Sequence, residues 1–309
     1  MIEIIKYHSE LKDEWNSFVE KADNFSFLFY RDYMEYHSDR FTDFSLMLYD
    51  KRKLKALLPG SINNSHFSSH PGLTYGGMIH QPAFTFDKAQ LYYAHFFDFL
   101  KRQAITSTTI KLQPFFYPSS YTQVQPFLLN NIHHATSSKD IGAFIHCKNH
   151  TFPKSTIEKR KLQLDQFYVE ENASLEEYWQ MLKQNLATYH QSKPVHTLAE
   201  IENLQRTYPD HIKLFCIRNR TSHHIDAGTL YFDQGEIAKM QYIASSIQGR
   251  TNRATHALYY LFIKHLKSRS EIIDMGTCMK NNEVNTSLLY LKQRFGAEVY
   301  FTQKYSFSI

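Results

Sequence analysis

The sequence predicts a mixed α/β protein made of two halves with the same order of elements, and three observations carry that prediction. Short β-branched or alternating apolar runs, as at 106–112, 211–219, 224–233 and 236–245, read as strands. Longer segments with apolar residues three and four apart, as at 9–22 and 89–102, read as helices. Each half then runs strand, one or two helices, a three-strand meander, helix, strand, helix, strand. Strands with helices between them make a mixed α/β class. The halves share order and little sequence, as in a structural duplication rather than a short-period repeat. The chain has 309 residues, which suits two domains at roughly 150 residues each. A boundary is expected in the polar stretch 147–163 with Pro153, giving lobes 1–150 and 151–309 with a cleft between them.

The first half opens with an alternating edge strand at 2–7. The helix at 9–22 puts Leu11, Trp15, Phe18 and Val19 on one face, with Ser9 as a possible cap. Strands are expected at 44–49 and 54–62, then a Gly-rich one at 72–79, an apolar helix at 89–102 and a strand at 106–112. Pro114 and Pro118 end that strand. A helix at 120–131 and a strand at 140–146 complete the half. The second half has a strand at 164–170 and a helix at 174–190, opened by the capping-box pair Ser174 and Glu177. A further helix at 197–208 opens on Thr197 with Glu200. The meander at 211–245 follows, then a helix at 253–268, a strand at 272–277, a helix at 284–295 stopped by Gly296, and a last alternating strand at 297–308.

Composition excludes several classes. Hydrophobic residues make up 42% and charged residues 21%, so the chain can bury a core. The net charge of +5 is modest, and its densest patch, Lys154 to Lys161 with Lys159 and Arg160, is a solvated helix or an anion contact rather than a nucleic-acid stripe. Cys147, Cys216 and Cys278 are far apart and odd in number, which fits a reducing compartment and no zinc site. His66 and His70 are four apart in a loop-like stretch and are not read as metal ligands. The N-terminus has no signal-peptide pattern and no run reaches the ~20 apolar residues of a membrane span, so a cytoplasmic protein is expected. Neither a Gly-x-Ser-x-Gly elbow nor a Walker loop is present.

The informative segment is 236–309. A strand ends at Ala244-Ser245-Ser246, the turn 247–252 follows, and a helix begins. Such a junction gathers backbone N–H groups and the positive end of a helix dipole, so it suits a pyrophosphate or a carboxylate, or is an ordinary capped turn. Gly249 permits a tight turn, and Arg250 and Arg253 add positive charge. His190 and His196 flank an interhelical loop, where a histidine is either a base at neutral pH or a partner of the backbone. Gln241 and Tyr242 are neighbours on the central strand, so one of them faces the ligand side. Asp274 on the next strand is a proton acceptor or a structural anchor. Tyr75-Gly76-Gly77 holds the matching place in the first half, where the glycines admit a substrate or form a bulge.

This order of strand, anion turn, helix, short strand and Asn285…Phe295-Gly296-Ala297 resembles the GNAT acyltransferase fold, and more narrowly the bacterial FemAB-like double-GNAT proteins. The likeness covers nearly the whole chain, through the segments 70–77 and 111–118, Tyr178-Trp179, Asn185-Leu186, His190, 193–198, 241–244 and 292–297. Membership would imply two GNAT-like lobes with acyl-CoA, for instance acetyl-CoA, as donor and no metal. Ile243 and Ala244 would meet the acyl-pantetheine arm. Gln248, Gly249, Arg250, Asn252, Arg253 and Ala254 would line the pyrophosphate turn. The family's Gln/Arg-x-x-Gly-x-Gly/Ala pattern falls on Gly249-x-x-Asn252-x-Ala254, and Arg253 replaces a Gly, either blocking a diphosphate or binding it. The family's acidic Tyr falls on Lys292, with Tyr290 two residues earlier. Gln241, His196, Lys292 and Tyr290 are the catalytic candidates, and Tyr75, Gly76, His190 and Tyr242 the acceptor-binding ones. The implied activity is N-acylation of a small molecule, an amino sugar or a cell-envelope precursor. The alternatives are a FemAB-type transfer from aminoacyl-tRNA, disfavoured by the modest charge and the lack of a heptad arm, and a non-catalytic ligand-binding protein.

Overall fold

The computed structural model describes residues 1–69, 71–117, 123–132, 134–153 and 164–309. His70, Pro118, the start of the helix expected at 120–131 and the basic patch from Lys154 to Lys161 lie outside the described residues. The chain forms two compact units, 1–140 with 301–309, and 141–300. That division differs from the expected boundary at 150/151. The strand β9 (Thr136–His146) crosses it, and the last nine residues return to the first unit.

In the first unit, β1 (Ile2–Lys6), β3 (Leu46–Asp50), β4 (Lys53–Leu58) and β7 (Ile79–His80) form one antiparallel sheet, entered through α1 (Lys12–Glu20) and α2 (Arg31–Glu35). A second set joins β2 (Thr42–Asp43), β5 (Ser61–Asn63), β6 (His66–Ser68) and β8 (Ser107–Lys111), with β6 and β8 parallel. Residues 304–308 of β17 (Glu298–Ser308) pair antiparallel with β8. The helix α3 (Phe86–Arg102) buries Ala89, Tyr92, Tyr93, Phe96, Phe97 and Leu100, the three-and-four spacing legible in the sequence. The one strand expected at 54–62 is two, because the chain breaks at Pro59-Gly60, where any side chain on Gly60 would enter the Phe67 ring. The strand expected at 72–79 is mostly turn. Gly72 and Gly77 have φ of +92° and +91°, outside extended geometry, so only Ile79–His80 forms a strand, with a single bridge at Gly76 before it. The helix expected near 120–131 is α4 (Val124–Phe127) running into a π-turn at Leu128–Ile132.

In the second unit, β10 (Phe167–Glu171), β11 (Ile212–Asn219), β12 (Ile225–Asp233) and β13 (Ile237–Ser245) pair antiparallel in that order. Next, β14 (Ile272–Thr277) lies parallel to β13, and β9 lies antiparallel to β14. The helices are α5 (Leu175–His190), α6 (Leu198–Thr207), α7 (Ile247–Thr251), α8 (Ala254–Leu266) and α9 (Thr286–Gln293). A small hairpin, β15 (Met279–Lys280) and β16 (Glu283–Val284), precedes α9, so the helix expected to start at 284 starts at 286. The apolar α8 buries Ala257, Leu258, Tyr259, Phe262 and Ile263 in a core shared with Phe215, Ile273 and Phe295. Burial of each large apolar side chain stabilises by roughly 1.5–3 kcal/mol. Thr197 and Glu200 form the full reciprocal capping box of α6. Ser174 caps α5 through the Glu177 amide, but the Glu177 carboxylate takes a bidentate bond from Arg218 instead of closing a second box. Among the described residues, no helix is long and apolar enough to cross a membrane.

Candidate functional site

The site is built where β13 leaves its neighbour. Leu230 faces Tyr242 and Tyr231 faces Met240, so Gln241 is the extra residue of a β-bulge. On the other side β13 pairs with β14 only through Ile237–Lys239 opposite Ile272–Asp274. Beyond those residues the two strands part, and Gly276, with φ of +77°, turns the end of β14. A buried polar group holds that end in place. Asp274 Oδ1 accepts from the Gly276 N–H at 2.8 Å and from Tyr300 Oη at 2.8 Å, while Oδ2 pairs with Lys239 Nζ at 3.2 Å. Lys292 reaches in from α9 and donates to the carbonyls of Gly276 and Thr277, both at 3.0 Å. Asp274 is therefore an anchor.

Burial lowers the Lys292 pKa below 10.5, with Cys278 and Asp274 opposing the shift. The unfolded chain then binds more protons than the folded one just below 10.5, so stability rises with pH through that interval. Replacing Lys292 by Met should remove this slope and, by leaving two carbonyls undonated, lower stability by about 1–3 kcal/mol. Melting temperatures at neutral and alkaline pH check both effects.

The expected anion turn is a one-turn helix, α7, and it is closed from within. Ser246 Oγ accepts from the Gly249 N–H at 2.8 Å, and the N–H groups of Arg250, Asn252 and Arg253 donate to the carbonyls of Ser246, Gln248 and Arg250. Beneath lies the Asp226 carboxylate, 2% exposed, which accepts from Ser246 Oγ, Asn219 Nδ2 and Asn252 Nδ2. A Cβ on Gly249 would stand 2.0 Å from the Asp226 carbonyl oxygen. Gly249 thus serves close packing against β12, and the amides of residues 249, 250, 252 and 253 already have partners within the chain. The amides of Ala254 and Thr255, which open α8, make no backbone bond among the described residues. Arg253 precedes them with φ of +56°, a left-handed conformation where the resemblance expects Gly. Ala244 and Ala254 are buried, Ile243 packs at the core's edge, and Gln248 bonds Asn252 at 3.3 Å.

Positive charge gathers beside the C-terminal end of α5. The Arg250 guanidinium lies 3.8 Å from the centroid of Tyr189. The His190 pKa is lowered by desolvation and then by the charges of Lys280 and Arg250, which places these three near one another. On β13 itself, Tyr242 Oη is 2.6 Å from His196 Nδ1 and accepts the His196 N–H at 3.4 Å. A phenol that donates to Nδ1 leaves the imidazole hydrogen on Nε2, and an imidazole that carries it on Nδ1 donates to the phenol instead. Burial pushes the Tyr242 pKa up to about 12 although the His196 and Val195 backbone groups pull it back. Trp179 meets the Tyr242 ring edge-on, while Tyr178 and Asn185 of α5 bond the carbonyls of Tyr242 and Ser245.

The structure pairs Tyr242 with His196, sets Gln241 beside Tyr242 on β13, and groups His190 with Arg250 and Lys280. Three expectations are corrected. Tyr290 is 59% exposed and bonded to Arg294, because two residues along a helix turn it about 200° from the buried Lys292. Tyr75 belongs to the first unit, is 1% exposed and lies against Ser26, Phe29 and Tyr117, so it is core. Gly76 bridges Leu112 and packs on Ser69, so it too meets protein. Asp226 and Lys280 escaped the sequence reading, and Tyr178 and Asn185 entered it only as residues of the resemblance. Asp226 left a signal, a carboxylate inside an apolar strand, which demands buried partners.

No family model and no curated protein matches the sequence. Solved structures do match in fold. FemX aligns with a TM-score of 0.68 at 11% identity, over 99% of this chain and 97% of its own. The C-terminal domain of a putative lysylphosphatidylglycerol synthetase from Agrobacterium fabrum gives 0.62 at 9%, over 96% and 91%. A tandem GNAT protein from the clavulanic acid biosynthesis pathway gives 0.55 at 9%, over 100% and 98%. The chain has the FemAB-like, double-GNAT fold.

Proposed function

We propose that the protein is a cytoplasmic N-acyltransferase that moves an acyl group from acyl-CoA to the amine of a small molecule, an amino sugar or a cell-envelope precursor. The observation that carries this reading is the parting of β13 from β14 after Lys239, with the Tyr242–His196 pair on the strand that loses its neighbour. An extended thioester arm fits beside such an unpaired strand. The acceptor nitrogen attacks the thioester carbonyl carbon, the C–N bond forms, and the C–S bond breaks as the tetrahedral intermediate collapses. The amine's proton passes to Tyr242 Oη as the phenolic proton moves to His196 Nδ1, so no phenolate accumulates. The imidazolium then gives a proton to the departing sulfur. Arg250, Arg253 and Lys280 supply positive charge for the donor's phosphates, with the Ala254 and Thr255 amides at the helix start.

A second reading, transfer from aminoacyl-tRNA, draws support from the closed α7 amides, which leave the expected diphosphate cradle filled by Ser246 and backbone. Thermal-shift and transfer assays with acetyl-CoA, a longer acyl-CoA and aminoacyl-tRNA separate the two. A donor at 100 times its Kd stabilises the fold by about 2.7 kcal/mol. Stabilisation by acyl-CoA supports the first reading and by aminoacyl-tRNA alone the second, while none by either overturns both. Under either reading Arg250→Ala should weaken donor binding by roughly 1–3 kcal/mol, measured by calorimetry.

A further inference from the structure

The first unit carries a cavity lined by none of the residues of the candidate site. Its volume is about 890 Å³, within the size range of small-molecule sites. Its apolar wall is Ile2 and Ile4 of the edge strand β1 with Phe99 of α3, all half-buried against the unit's core. Its charged side is the hairpin tip Lys51-Arg52 between β3 and β4, with Arg102 at the end of α3. Glu3 is the one carboxylate on the lining. Arg102 pairs with Asp98 at 2.8 Å, whereas Lys51 and Arg52 have no ion-pair partner among the described residues.

The hairpin tip is unusual for its geometry. Lys51 and Arg52 have φ of +50° and +62°, the left-handed conformation of a two-residue hairpin that Asn-Gly adopts most easily. Two long cations stand there instead, in a conformation that costs non-glycine residues free energy. The Lys51 N–H donates to the Met1 carbonyl at 3.3 Å, which ties the tip to the start of β1 beside the cavity. Unpaired cations above an apolar wall select a ligand with an anionic head and a flat or apolar body.

We propose that this cavity binds an organic phosphate of the nucleotide class, with its phosphates on Lys51, Arg52 and Arg102 and its base against Phe99 and the β1 isoleucines. The site is independent of the transfer reaction proposed above.

The test is calorimetric titration of the full chain with ADP and with inorganic pyrophosphate, and co-sedimentation with phosphatidylglycerol vesicles. A second protein carries Lys51→Asn with Arg52→Gly. That variant holds the residues the turn geometry favours, so its melting temperature should equal or exceed the parent's while ADP affinity falls at least tenfold. Pyrophosphate should bind at least tenfold more weakly than ADP to the parent. Arg250→Ala is titrated in parallel and should leave this binding unchanged, which separates the cavity from any donor site. Equal ADP affinity in the hairpin variant and the parent, loss of binding in Arg250→Ala alone, or no ADP binding at all would overturn the proposal. So would pyrophosphate binding as tightly as ADP, or capture by vesicles without ADP binding, since each removes the nucleotide as the occupant.

Discussion

His196→Ala should lower kcat for acyl transfer by about 10²–10⁴-fold with little change in donor KM, because the imidazole is the end of the path that carries the amine's proton. The geometry makes the expectation specific. Tyr242 Oη accepts from the His196 amide and sits 2.6 Å from Nδ1, so phenol and imidazole form one unit. A pKa of about 12 keeps the phenol protonated at neutral pH, so Tyr242 cannot act as a base without a partner that takes its hydrogen. Tyr242→Phe should therefore fall to a similar rate, and the double variant should be no slower than the worse single one, as for groups that act together. His196 is buried and Tyr242 half-buried, so circular dichroism and melting curves must show that each variant is folded. Wild-type turnover in folded His196→Ala would remove the relay, and with it the central step of the proposed chemistry.

Gly249→Ala should destabilise the second unit by roughly 2–4 kcal/mol, the scale of strain when a side chain is forced into a packed site and the backbone must shift. The added methyl would stand 2.0 Å from the Asp226 carbonyl oxygen, a backbone atom that cannot rotate away. Relief requires α7 to lift from β12, which stretches the bond from the Gly249 N–H to Ser246 Oγ and disturbs the buried Asp226 carboxylate below. For a unit of the size of 141–300, each kcal/mol lowers the melting temperature by about 2–4 °C. If the substitution proves silent, the close packing of α7 on β12 is wrong, and the turn is open to ligand after all.

Legibility differed sharply between fold and site. The meander strands and the helices α3, α5, α6 and α8 were readable because their periodicity is local, and Ile272–Thr277 emerges with the expected bounds. The failures share a cause. The segment 72–79 looks like a strand from its side chains, but two glycines take positive φ. Glu177 looks like a capping-box residue, yet Arg218, 41 positions away, claims its carboxylate. Gly249 looks like a ligand-binding glycine, yet its neighbour is Asp226, distant in sequence and adjacent in space.

From the sequence alone came the mixed α/β class, the sequence of elements in the second half, and the stretch of chain where a ligand-binding junction should be sought. These depend on hydrophobic spacing and capping chemistry, which act over a few residues. The tertiary structure decided which strands part, which amides remain at the start of α8, and that Tyr242 and His196 meet while Tyr290 and Tyr75 do not. Those outcomes rest on hydrogen bonds and packing between residues tens to hundreds of positions apart, and no local pattern in the chain encodes their partners.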